Sequence, residues 1–561
     1  MNKMFKKLIF LIFFISIVNC FGWGSGHELI TEILIEKLPE EIKGMLSEDT
    51  RKRMIKEWSH YPDSFEKFDK DIISESSLLI LEKYGIKTRY DLHSSKGKYI
   101  NFILLTKAFE NKNEKEIGLW ISSLCHTLSD EGALNHGPLI HYITYGFSPL
   151  KIKMGKGVGL DIIEISKTTG KEIILKKLEN YNPKITSENP KEAIINILLQ
   201  GADANSFMTQ RETKIMKSYK LEKDEKEYEE AKTAMAEIGA KNVSDTINVV
   251  ITSYYYAKKG IQVQFEEEIL KEFEKREKEY LEKRPIENDS IYEELLETED
   301  KYPAIGIIIE PSQTMNRAIF PFGSKYILSA IMWYLKENRI SYKPIDVREI
   351  LKKKINLSVE KIPLIILDLG NNIPEELKIF WKEYIKNGGI IFLIAGMKNF
   401  EPYKEIFSNY FSCFKNLPED FTPVSPKYGY KNEDVVKKIS FYFLNDLSEY
   451  FGDKEYKMIR NPNTPAGWQK PICTVYIDTE DPKIKKLIRL TDGEKEFIVG
   501  GIIEDEKTKI IFIPEYFLSP FIFSEEDTLF DPSKPYLDKF GRKIIDFVLK
   551  KYKIKTNLGE K

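Results

Sequence analysis

The hydrophobic pattern of this 561-residue chain changes at Tyr302, and this change limits the possible folds more than any other feature. Before it, apolar residues recur at helical spacing, as in HELITEILIEKL (27–38), and EIGLWISSLCHTLSD (116–130) is apolar nearly all round. After it, short β-rich runs such as AIGIIIEP (304–311) and IPLIILDLG (362–370) alternate with amphipathic helices. The sequence therefore predicts a multidomain protein, with an all-α domain followed by an α/β domain that contains a parallel sheet.

The segment between the two patterns is dense in charge. It contains FEEEILKEFEKREKEYLEK, which is expected to be helical before Pro285 and to form a solvated spacer. The predicted boundaries are a signal peptide at 1–22, an all-α domain at 23–258, a charged helical linker at 259–302 and an α/β domain at 303–553.

The N-terminus has the pattern of a signal peptide. Three lysines precede the apolar run Leu8–Val18, which is too short to span a bilayer comfortably. Cys20 and Gly22 are the small residues expected at positions −3 and −1 of a cut before Trp23. We therefore expect a secreted or cell-envelope protein with no transmembrane anchor after cleavage. The alternatives are an uncleaved N-terminal anchor and lipidation at Cys20.

The six histidines are confined to one part of the chain, and none follows position 141. Neutral histidine is the commonest metal ligand, so this distribution predicts a metal site in the all-α domain. Two of the six, His60 and His141, are interpreted as surface or core residues without a ligand role. The six are His27, His60, His93, His126, His136 and His141.

The motif HTLSDEGALNH contains the strongest candidate ligands. His126 and Asp130 are four residues apart on the predicted buried helix, so both side chains lie on one face. A buried aspartate needs a charged or hydrogen-bonding partner, and a metal cation would satisfy both side chains. Gly132 and Asn135 are expected to end or bend the helix, which would let His136 turn toward the same cavity.

Two upstream residues complete a four-ligand set. Asp63 in WSHYPDSF and His93 in DLHSSKG join His126 and Asp130, giving the two carboxylates and two imidazoles that Zn²⁺ accepts. Asp130 has two oxygens and could bridge to a second metal ion. That second ion could take His27 as well as the free α-amine and carbonyl of Trp23, because the intervening Gly-Ser-Gly lets the chain curl back.

In these positions the chain resembles the zinc-dependent phospholipase C superfamily, which also contains the secreted single-strand zinc nucleases. Members begin their mature chain with Trp, followed by His, Asp, His and a His-x3-Asp-x5-His run. The matching residues here are Trp23, His27, Asp63, His93, His126, Asp130 and His136. The resemblance covers roughly residues 23–258 and implies an all-α fold that binds two or three zinc ions.

The third metal site departs from the pattern of the family. The resemblance implies His136 plus a later His-x3-Glu or His-x3-Asp pair, but GVGLDIIEI has Leu160 in place of the histidine and Glu164 in place of the acid. Asp161 or His141 could substitute for the missing ligand.

The resemblance implies a phosphodiester hydrolase that uses a zinc-activated water, with Asp63 as the candidate catalytic residue. The short spacing between His93 and His126 favours a phospholipase C that acts on phospholipid at a membrane surface. The net charge of −2 gives no global basic field for nucleic acid. The alternatives are a single-strand-specific zinc nuclease of the same superfamily and, in another class, a non-catalytic envelope protein with structural zinc.

Residues 303–553 resemble the flavodoxin-like fold of class I glutamine amidotransferases. Catalytic members carry a cysteine on a sharp turn between glycines, but Cys413 lies in NYFSCFKN and Cys473 in KPICTVYI. No histidine remains in this part of the chain to act as a base. We therefore expect a non-catalytic domain that is structural, presents substrate or binds a partner.

Overall fold

The computed structural model gives the placement of most of the chain, and its described residues form two compact units. The first unit contains the described residues up to Lys283, and the second contains those from Ser290 onward. The described residues are 24–63, 67–133, 167–217, 225–283, 290–298, 300–309, 324–354, 357–367, 375–395, 413–418, 439–457, 475–518, 537 and 539–554.

The first unit is helical throughout its described residues, as the sequence predicts. Two short 3₁₀ helices, Trp58–Asp63 and Arg89–His93, interrupt the series of α-helices. The α-helices are α1 (Gly24–Lys37), α2 (Glu40–Lys43), α3 (Glu48–Lys56), α4 (Glu75–Lys83), α5 (Ser95–Glu110), α6 (Glu114–Glu131), α7 (Lys167–Lys177), α8 (Pro190–Lys217), α9 (Glu225–Lys259) and α10 (Glu267–Lys283).

Side-chain caps fix where several of these helices begin. Ser47, Ser74, Ser94 and Asn113 each accept a hydrogen bond from a backbone N–H in the first turn of α3, α4, α5 and α6, respectively. Such a cap satisfies one of the four N–H groups that have no partner within a helix. The starts of α5 and α6, the two central helices, are therefore set by local sequence.

Helix α6 is the central helix of the first unit. All of its residues from Glu116 to Asp130 are buried, and α1, α3, α5, α8 and α9 pack around it. This confirms the buried helix expected from its apolar sequence, and the helix ends before Gly132, as expected. A Cβ on Gly118 would lie 2.8 Å from both Thr50 and Trp58, so this glycine allows the first 3₁₀ helix to approach α6 closely.

The predicted linker segment contains α10, and α10 packs against α8. Ile269 and Phe273 are buried on its inner face. Its Arg276 guanidinium donates to both carboxylate oxygens of Glu192, at 2.7 and 2.9 Å. The charged sequence thus forms an amphipathic helix whose apolar side is covered by the first unit.

The second unit combines one mixed sheet with helices. Its helices are α11 (Ser290–Leu296), α12 (Ser324–Glu337), α13 (Val347–Leu351), α14 (Glu375–Lys386), α15 (Ser448–Phe451) and α16 (Lys539–Lys551), with 3₁₀ helices at Asn445–Leu447 and Glu515–Leu518. Its strands are β1 (Ile305–Ile309), β2 (Tyr342–Asp346), β3 (Leu364–Leu367), β4 (Ile390–Ala395), β5 (Phe414–Asn416), β6 (Ser440–Phe443), β7 (Tyr456–Lys457), β8 (Val475–Ile477), β9 (Ile484–Thr491), β10 (Glu496–Glu504) and β11 (Lys509–Pro514).

The main path of this sheet runs β2-β1-β3-β4-β11-β10-β9-β6-β7. The first five strands are parallel, and β10, β9, β6 and β7 continue the sheet in antiparallel pairs. Strand β8 pairs with β10, and β5 pairs with β8. All residues of β1 and β3 are buried, which explains their continuous apolar sequence. This confirms an α/β part after the helical part, with a parallel sheet extended by an antiparallel region.

The described helices include no segment that is long and apolar enough to span a membrane. Even α9, which has 35 residues, carries charged side chains along its length. Residues 1–22, the predicted signal peptide, lie outside the described residues.

Candidate metal centre

Four segments of the first unit bring the candidate ligands together. Helix α1 carries His27, the first 3₁₀ helix ends at Asp63, and the second 3₁₀ helix ends at His93. Helix α6 supplies His126 and Asp130 from adjacent turns of one face. Residues that are far apart in the sequence therefore meet at the C-terminal half of the buried helix α6.

The centre of the site consists of two histidines and two aspartates. One potential ligand atom from each of Asp63, His93, His126 and Asp130 lies within 4.8 Å of the others. Asp63 Oδ1 is 3.3 Å from His93 Nε2 and 3.2 Å from His126 Nε2. Asp130 Oδ2 is 3.2 and 3.4 Å from the same two nitrogens. Two imidazoles and two carboxylates thus converge on one small volume.

Backbone carbonyls orient both central imidazoles. His126 Nδ1 is 2.7 Å from the carbonyl oxygen of Ser59, and His93 Nδ1 is 3.0 Å from that of Tyr90. A carbonyl can only accept, so each Nδ1 must carry a proton and donate it. In the neutral ring, Nε2 then presents its lone pair to the centre of the site, and this is the usual arrangement of metal-binding histidines.

His27 lies beside this group and is oriented through a hydroxyl. Ser129 donates its only hydroxyl proton to the carbonyl of His126, at 3.1 Å, so its oxygen accepts from His27 Nδ1 at 3.2 Å. The Nε2 atom of His27 therefore faces Asp130 Oδ1, at 3.0 Å. Its ring stacks on that of His126, with centroids 3.9 Å apart. Asp130 thus faces His27 with one oxygen and the central cluster with the other.

Burial and charge act in opposite directions on the pKa values of the site. Burial would lower the pKa of His126, but the carboxylates of Asp63 and Asp130 raise it well above its usual value. Burial would likewise lower the pKa of His93, but its hydrogen bonds to the same two carboxylates raise that pKa above its usual value. Burial and the charge of His126 lower the pKa of His27 to about 4. Burial would raise the pKa of both aspartates, but the histidines hold it below the usual range.

The chemistry of these donors fits a divalent cation. When the central histidines are neutral, two nitrogen lone pairs and two carboxylates face one another at 3.2–3.4 Å, and their mutual repulsion requires a positive charge between them. Asp63 Oδ2 is also buried and has no hydrogen-bond partner among the described residues. A tetrahedral ion such as Zn²⁺ takes these donor types, so the cluster could hold a metal ion.

Three of the predicted ligands cannot be compared with this geometry. Trp23, His136 and Glu164 lie outside the described residues. The same is true of His141, which was interpreted as having no ligand role. The structure therefore describes the central cluster and His27, whereas the rest of the second site and the third site remain sequence predictions.

His60 lies in the first 3₁₀ helix but outside the ligand cluster. Its Nε2 is 3.5 Å from the Glu28 carboxylate, which also forms an ion pair with Lys56. Burial and the charge of His126 lower the pKa of His60. His60 is therefore not one of the four residues that form the cluster among the described residues.

The groups that orient the imidazole rings were not predicted from the sequence. The acceptors for His126 and His93 are backbone carbonyls of Ser59 and Tyr90, and any residue type can supply a carbonyl. The role of Ser129 could have been suspected from its position, since it lies three residues after His126 on the same helix face.

Comparisons with known proteins assign no family to the chain. A scan against protein-family models finds no matching family, and a search of curated proteins finds no match either.

Proposed function

We propose that the chain is a secreted zinc-dependent phosphodiester hydrolase of the phospholipase C type. The observation that carries the proposal is the convergence of Asp63, His93, His126 and Asp130 within 4.8 Å, with both imidazoles held in the tautomer that presents Nε2. A buried cluster of this composition is a common zinc site. The order of these residues along the chain is also that of the zinc-dependent phospholipase C superfamily, which the helical unit resembles.

Asp130 and His27 would help to hold a second zinc ion. Asp130 Oδ1 faces His27, whereas its Oδ2 faces His93 of the central cluster. The proposal adds the α-amine and carbonyl of Trp23, exposed by cleavage of residues 1–22. His136 and Glu164 are proposed for a third ion on the sequence pattern alone.

The residues of the site have distinct roles in this proposal. Bound zinc would supply a water of lowered pKa and positive charge beside the phosphate. Ser59 and Tyr90 keep Nδ1 of the central histidines protonated, so both rings present Nε2. Asp63 Oδ2, which has no hydrogen-bond partner in the described part of the chain, is available to accept the proton of the attacking water.

A protein nucleophile is not needed for this reaction. Cys125 adjoins the site in sequence, but burial raises the pKa of its thiol to about 12, so it is a poor nucleophile at neutral pH. The hydroxyl of Ser129 is engaged with His126 and His27. Activated water is therefore the attacking group that this site supports best.

A structural role for zinc is the alternative that one observation favours. The candidate ligands come from α1, α6 and both 3₁₀ helices, so a metal ion would connect four segments whatever its chemistry. Such a protein would bind zinc and lose stability without it, but it would hydrolyse no phosphodiester.

We propose a non-catalytic role for the second unit. Its parallel strands in the order β2-β1-β3-β4 are compatible with the flavodoxin-like fold that its sequence resembles. Of its two cysteines, Cys413 precedes the short strand β5, and Cys473 lies outside the described residues. A structural, substrate-presenting or partner-binding role is proposed because no histidine follows position 141 in the sequence, so residues 303–553 contain no histidine base.

The test compares two glutamine variants of the secreted protein with the wild type. His93→Gln removes a central ligand, and His60→Gln changes a neighbouring histidine outside the cluster. Zinc content is measured by mass spectrometry, and hydrolysis is assayed on phosphatidylcholine vesicles and on single-stranded DNA.

We expect two or three zinc ions in the wild type and phosphocholine release from the vesicles. His93→Gln should lower the rate by more than about 100-fold, because even residues behind the ligands contribute 10- to 100-fold. His60→Gln should keep most of the rate. Cleavage of DNA alone would favour the nuclease, and zinc without hydrolysis of either substrate would favour the structural role.

A further inference from the structure

The last turn of α6 carries Asp130 and ends inside the protein. Carbonyl groups in the last turn of a helix have no partner within it, and a buried carbonyl without a donor costs free energy. Gly132 N–H donates to the carbonyl of Ser129 at 3.1 Å, and Ala133 N–H donates to that of Asp130 at 3.0 Å. The remaining donors to this turn come from two other helices.

Two buried asparagines supply these donors. Asn205 of α8 donates its side-chain amide to the carbonyl of Glu131, at 3.3 Å. Asn242 of α9 makes a longer bond of 3.5 Å to the carbonyl of Ser129. The two side chains are 1% and 3% exposed, so both amides are used in the interior. One carbonyl on each side of Asp130 is thus held by a different helix.

Two glycines allow this close contact. A Cβ on Gly132 would lie 2.5 Å from Asn242 Oδ1 and would displace the amide. A Cβ on Gly201 of α8 would overlap the carboxylate of Glu131, which forms an ion pair with the buried Lys98. A glycine therefore lies at each point where α8 or α9 approaches the end of α6, and its lack of a side chain allows the close contact.

We propose that Asn205 and Asn242 are positioning residues for Asp130 as a metal ligand, an inference that rests on the proposed zinc binding. The two oxygens of Asp130 face different histidines, at 3.0 Å for His27 and 3.2 Å for His93. A small rotation of the last turn of α6 would move both oxygens out of place. Holding the carbonyls on either side of Asp130 prevents that rotation.

A purely structural role predicts a different result. If the asparagines only complete hydrogen bonding in a packed interior, their removal lowers the stability of the metal-free protein and leaves zinc affinity unchanged. Asn248 provides the matched control, because it lies on α9, is 9% exposed and accepts hydrogen bonds from Tyr181 and Lys184, neither of which belongs to α6.

The experiment uses the full secreted chain with Asn205→Ala, Asn242→Ala and Asn248→Ala. The zinc dissociation constant is measured by competition with a chromophoric chelator. The visible spectrum of the cobalt(II) form reports the coordination geometry, and thermal unfolding of the metal-free protein reports stability. Where an alanine variant does not fold, the serine variant, whose shorter side chain cannot span the same distance, replaces it.

Asn205→Ala and Asn242→Ala should each weaken zinc binding by about 10- to 100-fold and change the cobalt spectrum. Asn248→Ala should lower the melting temperature and leave both metal readouts unchanged. Wild-type affinity and spectrum in the Asn205 and Asn242 variants would overturn the positioning role. A wild type that binds no zinc would instead refute the proposed function.

Discussion

The Nε2 atoms of His93 and His126 lie 3.3 Å apart, and each ring is fixed from behind by a hydrogen bond to a backbone carbonyl. The ring planes are nearly perpendicular, at 82°, and both nitrogens face Asp63 Oδ1. Neutral rings in this arrangement point two lone pairs at carboxylates and at each other. A proton or a metal cation therefore has to occupy this space, and the two compete for it.

Removal of metal should lower the stability of the helical unit, because the candidate ligands come from α1, α6 and both 3₁₀ helices. Zinc at 100 times its dissociation constant would add about 2.7 kcal/mol to the free energy of unfolding. The melting temperature, measured by circular dichroism at 222 nm, should therefore fall after dialysis against a chelator and recover when zinc is added. An unchanged melting temperature would show that the cluster holds no ion.

The metal-free and zinc-loaded proteins should respond to pH in opposite directions. The pKa of His126 is raised in the folded state, since its carboxylate neighbours outweigh burial. Above the unfolded value of 6.5, the folded chain binds more protons, so metal-free stability should fall as pH rises toward the folded pKa of His126. Zinc requires the deprotonated ring, so zinc-loaded stability should rise over the same interval.

Urea unfolding at several pH values between about 6.5 and 8.5 would measure both trends. A second zinc-loaded sample titrated with excess chelator at each pH provides the control, because it should return to the metal-free trend. Parallel trends in the two forms would contradict metal binding at His126.

Gly118→Ala should disturb the contact between α6 and the first 3₁₀ helix. The added Cβ would lie 2.8 Å from Thr50 and Trp58, so the segment that carries Asp63 would have to move. The expected loss is about 1–3 kcal/mol in the free energy of unfolding, together with weaker zinc binding. Gly44→Ala is the control, since its Cβ would meet only α2 backbone oxygens, the nearer at 3.3 Å. Equal effects of the two substitutions on zinc affinity would refute the packing argument.

Lys98→Met should leave the carboxylate of Glu131 without its cation. Lys98 is 4% exposed, and its ammonium contacts Glu131 at the end of α6. Removal of one partner from a buried ion pair lowers the free energy of unfolding by about 3 kcal/mol. Urea unfolding measures this loss. Lys52→Met, which breaks the exposed pair with Glu48, should cost much less, because both side chains lie in solvent that screens their attraction. A small loss from both variants would mean that solvent screens Glu131.

The helical part of the site followed from its sequence to a large extent. A nearly continuous apolar run predicted a buried helix, and the spacing of His126 and Asp130 placed both on one face. The helix is buried from Glu116 to Asp130, and the two side chains share a site. Local periodicity was sufficient here because both residues lie on one rigid element.

The hydrogen bonds and helix packing around the site could not be predicted in the same way. Asn205 and Asn242 are far from Asp130 in the sequence and approach it only through the packing of α8 and α9. The glycines that permit this approach have no distinguishing pattern of their own. In the second unit, apolar runs such as β1 and β3 predicted a parallel sheet, but strand order depends on long-range pairing that periodicity does not encode.

The most direct test is the rate of phosphatidylcholine hydrolysis by the metal-free protein as zinc is added in known equivalents. We expect no hydrolysis without metal and a rise to a plateau at two or three ions per chain. Hydrolysis that persists in excess chelator, or saturation with zinc without any hydrolysis of the vesicles, would contradict a zinc-dependent phospholipase C.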